Sequence, residues 1–275
     1  MFDYNATTFI WTKFKMAWNE KLSAIRKFNR FELKYLISYD TAQKLQEDLK
    51  KYVIPDSYSK KDNWLYTLSS LYYDTDDYRF YWEKLDWLKY RRKLRIRQYE
   101  TDKPLTDDSI VYVEIKQRVD RVTQKRRVPM TYKEALDFCD RGIIPEYEKR
   151  DEPVIFELYQ FIRQNNLIPS CITSYMRNAY FGTDYDTWLR VTFDANIRYR
   201  KKNLNLADKE IWEFMVSPDK VIMEVKANER VPYWLTEMIA SYNFRLIRVS
   251  KYCQWLETSE AVPRTIFYIA DDVKI

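Results

Sequence analysis

Residues 89–99, KYRRKLRIRQY, constrain this chain more than any other stretch. In an extended backbone alternate side chains share a face, so Arg91, Lys93, Arg95 and Arg97 point one way while Leu94 and Ile96 point the other. Four cations along one strand face repel one another unless an anion lies across them, and the guanidinium fork suits phosphate best. Alone, such a strand reads equally well as a solvated basic face. The pattern recurs, however. In residues 30–38 Phe31, Leu33, Tyr35 and Ile37 alternate with Arg30, Glu32, Lys34 and Leu36. In residues 110–116 Val111, Val113 and Ile115 oppose Tyr112, Glu114 and Lys116, and residues 123–130 place Lys125 and Arg127 on one face. Tyr175 with Arg177, then Arg190 with Thr192 and Asp194, then Glu224 with Lys226 repeat it in residues 171–181, 188–200 and 220–227.

Helices are expected between these strands. Asp40 with Gln43 three residues on reads as the cap of a helix that buries Leu45, Leu49 and Val53. Thr131 with Glu134 forms a capping box, Gly142 suits the stop of that helix, and Asp151 with Pro153 opens the next. Pro232 starts another, and Ser250 is placed to cap a helix from Lys251 after a short strand over 245–249. Residues 68–74 form a Tyr-rich strand. Residues 8–28 read as a basic amphipathic helix with Trp11, Phe14, Trp18, Leu22 and Ile25 on one face. Docking on its own domain or on a protein partner is the commoner use of such a helix, and a peripheral membrane contact the rarer one. This divides the chain into the N-terminal helix, 1–29, and a domain over 30–275.

The economical fold for such strands is α+β: an antiparallel β-barrel with apolar faces outward under surrounding helices and charged faces inward. A one-sided sheet with its charged face in water has the same periodicity. Burying lysines and arginines costs roughly several kcal/mol per ion unless they are paired and solvated. Too few carboxylates share their faces for full pairing, so an exchangeable polyanion is the missing counterpart.

What the chain lacks narrows the chemistry. Two glycines, Gly142 and Gly182, cannot build a Walker loop or a dinucleotide-binding turn. The absence of histidine excludes His-based acid–base catalysis, Ser-His-Asp triads and His-ligated zinc. Cys139, Cys171 and Cys253 are scattered without metal spacing, which suits a reducing cytosol. No long apolar run and no signal peptide stand out, so a cytoplasmic chain without a transmembrane segment is expected. The formal net charge of +6 favours anionic partners only if the charges are segregated.

Nine segments, in order, resemble a known family: FELKY at 31–35, SLYYDT at 70–75, KLRIR at 93–97, EIK at 114–116, KRRV at 125–128, Arg177, LRVTFD at 189–194, EVK at 224–226 and SKY at 250–252. Together they resemble the polyphosphate polymerase domain of the vacuolar transporter chaperone (VTC) complex, a branch of the triphosphate tunnel (CYTH-like) metalloenzymes. The resemblance spans about residues 30–258. It implies a tunnel-shaped barrel, ATP as phosphoryl donor, a divalent metal (Mn2+ or Mg2+) and inorganic polyphosphate as product. By motif it implies catalytic roles for Arg95, Arg97, Arg177, Arg190 and Lys226, and substrate binding by Lys34, Lys116, Lys125, Tyr175, Ser250 and Lys251. Glu224 matches the family's metal-binding glutamate; Glu32 and Glu114 are further lining carboxylates, as metal ligands or ion-pair partners. Singly, each cation reads as a surface charge or a cross-strand ion pair.

Tunnel hydrolases carry Glu-x-Glu-x-Lys on the first strand, whereas this chain has Arg30-Phe31-Glu32-Leu33-Lys34. The exchange favours the polymerase branch over a tunnel-fold inorganic or nucleoside triphosphatase. A non-catalytic polyphosphate-binding module is the third reading. Nucleic acid is not an expected partner, because the cations are spread over many strands and form no open stripe with stacking aromatics. The accessory regulatory domain and membrane segments of the eukaryotic complex have no counterpart in this sequence.

Overall fold

The computed structural model describes residues 30–56, 65–120, 122–183, 186–208, 212–228 and 230–269. The helix expected over 8–28 lies outside the described residues. In chain order the elements are β1 (Arg30–Ser38), α1 (Tyr39–Leu49), β2 (Val53–Pro55), β3 (Tyr66–Asp74), α2 (Arg79–Leu85), β4 (Tyr90–Tyr99), β5 (Ile110–Val119) and β6 (Val122–Thr131). There follow α3 (Tyr132–Leu136), which runs into one π-helical turn (Asp137–Arg141), α4 (Glu152–Asn165), β7 (Ile168–Gly182), β8 (Arg190–Arg200), β9 (Glu213–Phe214), β10 (Lys220–Asn228), α5 (Tyr233–Ser241) and α6 (Lys251–Thr258).

The fold is α+β, built on one ten-stranded antiparallel sheet in the order β1-β10-β8-β7-β3-β4-β5-β6, with β2 added to β7 and β9 to β8. No backbone pairing joins β1 to β6 among the described residues. The sheet nevertheless curls until its ends face each other, because Lys116 Nζ on β5 lies 3.5 Å from Glu32 Oε2 on β1. The free edge of β1 is covered by the chain leading into α6: Tyr35 bridges to Leu246, and Ile247 N–H donates to the Lys34 carbonyl at 2.8 Å.

The alternation reads directly into two outer cores. Leu33, Tyr35, Val191, Phe193, Met223 and Val225 pack beneath α1 and α5, against Leu45, Leu49 and Leu235. Leu94, Ile96, Val113, Ile115 and Val128 pack against α3 and α4 through Ala135, Phe138, Leu158 and Phe161. With the apolar strand faces covered along most of their length, the charged faces turn to the concave side, as a barrel-like sheet requires.

Three local expectations need correction. The cap of α1 is Ser38, whose Oγ accepts from Thr41 N–H at 3.1 Å, and Asp40 sits in the first turn. The helix begins as soon as β1 ends, which moves the cap two residues earlier. Val53 is not on α1, which stops at Leu49; it opens β2 and pairs with Gly182. Residues 245–249 form no strand beyond the single bridge at Leu246. The Thr131–Glu134 capping box is present, and Gly142 ends the π-helical turn at φ 73°, the left-handed region that glycine occupies without strain.

Candidate functional site

The concave face is organised by cross-strand register. Arg95 on β4 stands opposite Glu114 on β5, and Arg177 on β7 opposite Asp194 on β8. Both pairs form. Arg95 Nε and Nη2 donate to Glu114 Oε2 at 2.9 and 2.6 Å, and Arg177 grips both oxygens of Asp194 at 2.6 and 2.7 Å. A bulge in β8, where Asn196 takes φ 49°, shifts the register beyond the Met176–Ala195 rung, next to this pair. Lys251, the first residue of α6, reaches Asp194 Oδ2 at 2.5 Å and lies 4.6 Å from the Tyr175 ring centre.

Arg97 links the two clusters: its Nε donates to Ser70 Oγ at 3.1 Å and its Nη2 to the Tyr175 hydroxyl at 3.0 Å. Lys125 lies 3.2 Å from Glu114 Oε1, and Arg127 reaches the same oxygen at 3.9 Å, so the two cations on β6 share one carboxylate. On β1 and β10, Lys34 pairs with Glu32 at 3.0 Å and Lys226 with Glu224 at 2.9 Å. Lys34 also donates to the Val249 carbonyl at 3.0 Å. At the opposite rim from α6, Arg190 is held by Asp56 at 2.8 Å and stands in register with Lys226. The concave face thus brings together Lys34, Arg95, Arg97, Lys116, Lys125, Tyr175, Arg177, Lys226 and Lys251, with Arg190 at its rim. Ser250 occupies the cap position of α6 without making a side-chain cap; its Oγ accepts from Lys93 Nζ at 3.3 Å instead.

Electrostatics follow from this crowding. Burial works against the Glu114 charge, but Arg95, Arg97 and Lys125 outweigh it and hold the carboxyl well below its ordinary range. The same contest leaves Asp194, which is 0 % exposed, at about 2 because Arg177 and Lys251 flank it. Burial likewise opposes the Glu224 charge, yet Lys226, Lys34, Arg177 and Lys251 keep it ionised. Lys116 and Lys125 go the other way: desolvation, only partly offset by Glu32 and Glu114 respectively, lowers each to about 8. The Tyr175 phenol is also lowered to about 8, since Arg177, Arg97 and Lys251 together overcome its burial. Cations outnumber carboxylates here, and the cavity is short of negative charge.

Three contributors escaped the sequence-derived set: Asp194, Lys93 and Asp56. Asp194 and Glu114 carry the buried ion pairs; Glu114 was expected as a lining carboxylate and Asp194 shared a strand face with Arg190, but neither was legible as a hub. Lys93 and Asp56 had only the alternation of β4, and no signal at all, to announce them. Tyr73 and Asp74 are structural: Tyr73 bonds Asp140 at 2.8 Å, and Asp74 accepts from Thr75 N–H, Phe80 N–H and the Tyr252 hydroxyl. Surface clefts at residues 260–264 and beside α3 lie apart from this array.

A model of the VTC domain matches residues 29–259 of the chain. The chain belongs to the VTC domain family. Among curated proteins, none matches it. Solved structures similar to this VTC domain include a candidate adenylate cyclase from Bacillus halodurans, at 16% identity and TM-score 0.46, covering 80% of this chain and 92% of that one. A second candidate adenylate cyclase, from Vibrio parahaemolyticus, has 10% identity and TM-score 0.41 over 82% and 95% of the two chains. The Schizosaccharomyces pombe Mediator head module contains a chain at 11% identity and TM-score 0.43, covering 79% and 96%. At such values these likenesses say nothing about the chemistry of the VTC domain. Among the described residues no helix is long and apolar enough to cross a membrane.

Proposed function

We propose that this VTC domain is a polyphosphate polymerase that transfers the terminal phosphoryl group of ATP to a growing inorganic polyphosphate chain. The observation that carries the reading is the charge deficit of the concave face: its carboxylates are already ion-paired, and its cations still exceed them. Phosphoryl transfer needs positioning and charge neutralisation more than a protein nucleophile. A phosphate oxygen as acceptor is ionised near neutral pH, so the lack of histidine costs nothing. Arg95, Arg97, Arg177, Arg190 and Lys226 hold the triphosphate and stabilise the equatorial oxygens in the transition state. Lys34, Lys116, Lys125, Tyr175, Ser250 and Lys251 bind the remaining phosphates. Water attack is disfavoured because Glu114 and Asp194 are held in ion pairs by arginines, which makes them weak bases.

The family resemblance implies a divalent metal. Among the described residues no three acidic or cysteine side chains gather into a metal cage. The donors present fit an ion that takes one or two carboxylates and completes its shell with phosphate oxygens and water, as Mg2+ or Mn2+ does. Glu224, with Glu32 beside it across the β1–β10 pair, would hold such an ion. Such an ion would supply neutralisation of phosphoryl charge.

Substitution tests the assignment. Arg95→Ala and Arg190→Ala should each reduce turnover by about 10²-fold or more, as loss of a transition-state donor does. Turnover unchanged in both would remove these arginines from the reaction.

A further inference from the structure

Beyond the cluster assigned above, the concave face continues along β4 and β5 towards their outer ends, and there the register sets like charges opposite each other. Lys93 faces Lys116, which faces Lys125; one rung further, Arg91 faces Arg118. Like charges directly opposite on paired strands are destabilising. In the first rung the carboxylates that form ion pairs among the described residues are Glu32 and Glu114, which serve Lys116 and Lys125. Lys93 makes no ion pair among the described residues: the carboxylate that feels it, Asp74, accepts from the Tyr252 hydroxyl, Thr75 N–H and Phe80 N–H, and Lys93 itself donates to Ser250 Oγ and Cys253 Sγ, both at 3.3 Å, and rests 4.6 Å over the Tyr252 ring. In the second rung Arg91 donates to the Lys84 carbonyl at 3.2 Å and Arg118 to the Asp120 carbonyl at 2.8 Å. Glu83, the acidic group that acts on Arg91, is tied to Arg79 at 3.2 Å.

We infer that Arg91, Lys93 and Arg118 form a second polyanion subsite, a track that holds the phosphates of a chain extending beyond the reacting triphosphate. The inference rests on the polyphosphate reading and adds to it a chain-length preference. Arg91, Lys93 and Arg95 alternate along one strand face, so at about 3.4 Å rise per residue Arg91 lies roughly 14 Å beyond Arg95. That is further than a triphosphate seated on Arg95 and Arg97 extends, so the outer rung meets only longer chains. Arg118 is exposed and Arg91 half-buried, which puts the end of the track at the solvent.

The test is direct binding of two inorganic probes to the whole chain, tripolyphosphate and a polyphosphate of several tens of phosphates, for the wild type and for the double variant Arg91→Gln/Arg118→Gln. The inference expects the variant to lose about tenfold in affinity for the long chain, as one exposed and one half-buried ion contact permit, with tripolyphosphate binding unchanged. Arg91→Lys/Arg118→Lys should keep most of the long-chain affinity. Equal losses for both probes, or no loss for the long chain, overturns the track. Arg118→Gln alone, which removes an exposed side chain, covers the case in which the double variant does not fold: unchanged long-chain affinity there overturns the inference too. Because binding is read without turnover, a track can be found in a chain that does not polymerise. A working polymerase with no length preference would likewise sink the track alone.

Discussion

Replacing Glu114 by Gln removes the one negative charge shared by Arg95, Lys125, Arg127 and Arg97, at 2.6, 3.2, 3.9 and 4.0 Å. Glu114 is 1 % exposed, and the side chain of Arg95 16 %. Breaking a buried pair by deleting one partner costs about 3–5 kcal/mol. Arg97 keeps Ser70 and Tyr175, and Lys125 and Arg127 are partly in water, so the lower end, about 3 kcal/mol, applies. For a domain of this size that is a fall in Tm of roughly 6–12 °C. Tripolyphosphate should restore most of it, because the anion supplies the missing charge and binds the folded state alone. The pH dependence has a definite sign. The folded carboxyl lies below its ordinary range, so its contribution is complete above the unfolded value and is lost as pH falls through the folded one. Variant and wild type should therefore differ equally across the neutral range and converge only in strong acid. Denaturant unfolding at several pH values, with and without tripolyphosphate, reads all three effects. An E114Q chain as stable as the wild type without ligand would show that these cations are already satisfied, and the anion deficit would disappear as an argument.

Further outcomes follow from other residues. Glu224→Gln should abolish most metal-dependent turnover with the fold intact; unchanged activity across a manganese titration would move the ligand to Glu32 or Glu114. Lys116 and Lys125, lowered to about 8 in the free chain, should each gain proton occupancy when a polyanion binds. Affinity should then fall as pH rises from 7 to 9, and calorimetry at pH 8 in buffers of different ionisation enthalpy should register proton uptake; identical heats would contradict it. Thr131→Ala, which removes the capping box before α3, should cost about 1 kcal/mol in unfolding free energy.

Alternation made most of the sheet legible, because a residue period of two fixes which side chains share a face whatever the tertiary context. Turning the charged faces inward places Arg95, Arg97, Lys116, Arg177, Arg190 and Lys226 on one cavity, and of these Arg190 stands only at the rim, held by Asp56. What alternation cannot encode is the partner across the strand, which depends on register. Thus Glu114 and Asp194 read as two lining carboxylates among several, although Arg95 and Arg177 fall directly opposite them. The like-charged rung Arg91–Arg118 was hidden for the same reason. Short elements were lost to weak local signals: β2 has three residues and β9 two, and both exist only as additions to β7 and β8. Ser250 was read correctly as a cap position, yet its hydroxyl turns to Lys93, a contact between residues 157 apart that no local rule foresees.

The claim that phosphoryl groups pass to phosphate and not to water is tested most directly by the fate of the terminal phosphate of ATP. The purified chain is incubated with γ-labelled ATP and Mn2+, and label is separated into acid-labile polymer and orthophosphate, with ADP counted in parallel. The account predicts that nearly every ADP is matched by label in the polymer. Arg30→Glu, which restores the first hydrolase glutamate opposite Asn228, should shift label towards orthophosphate. Orthophosphate formed one for one with ADP by the unaltered chain, with no polymer, would contradict the polymerase account and leave a triphosphatase in its place.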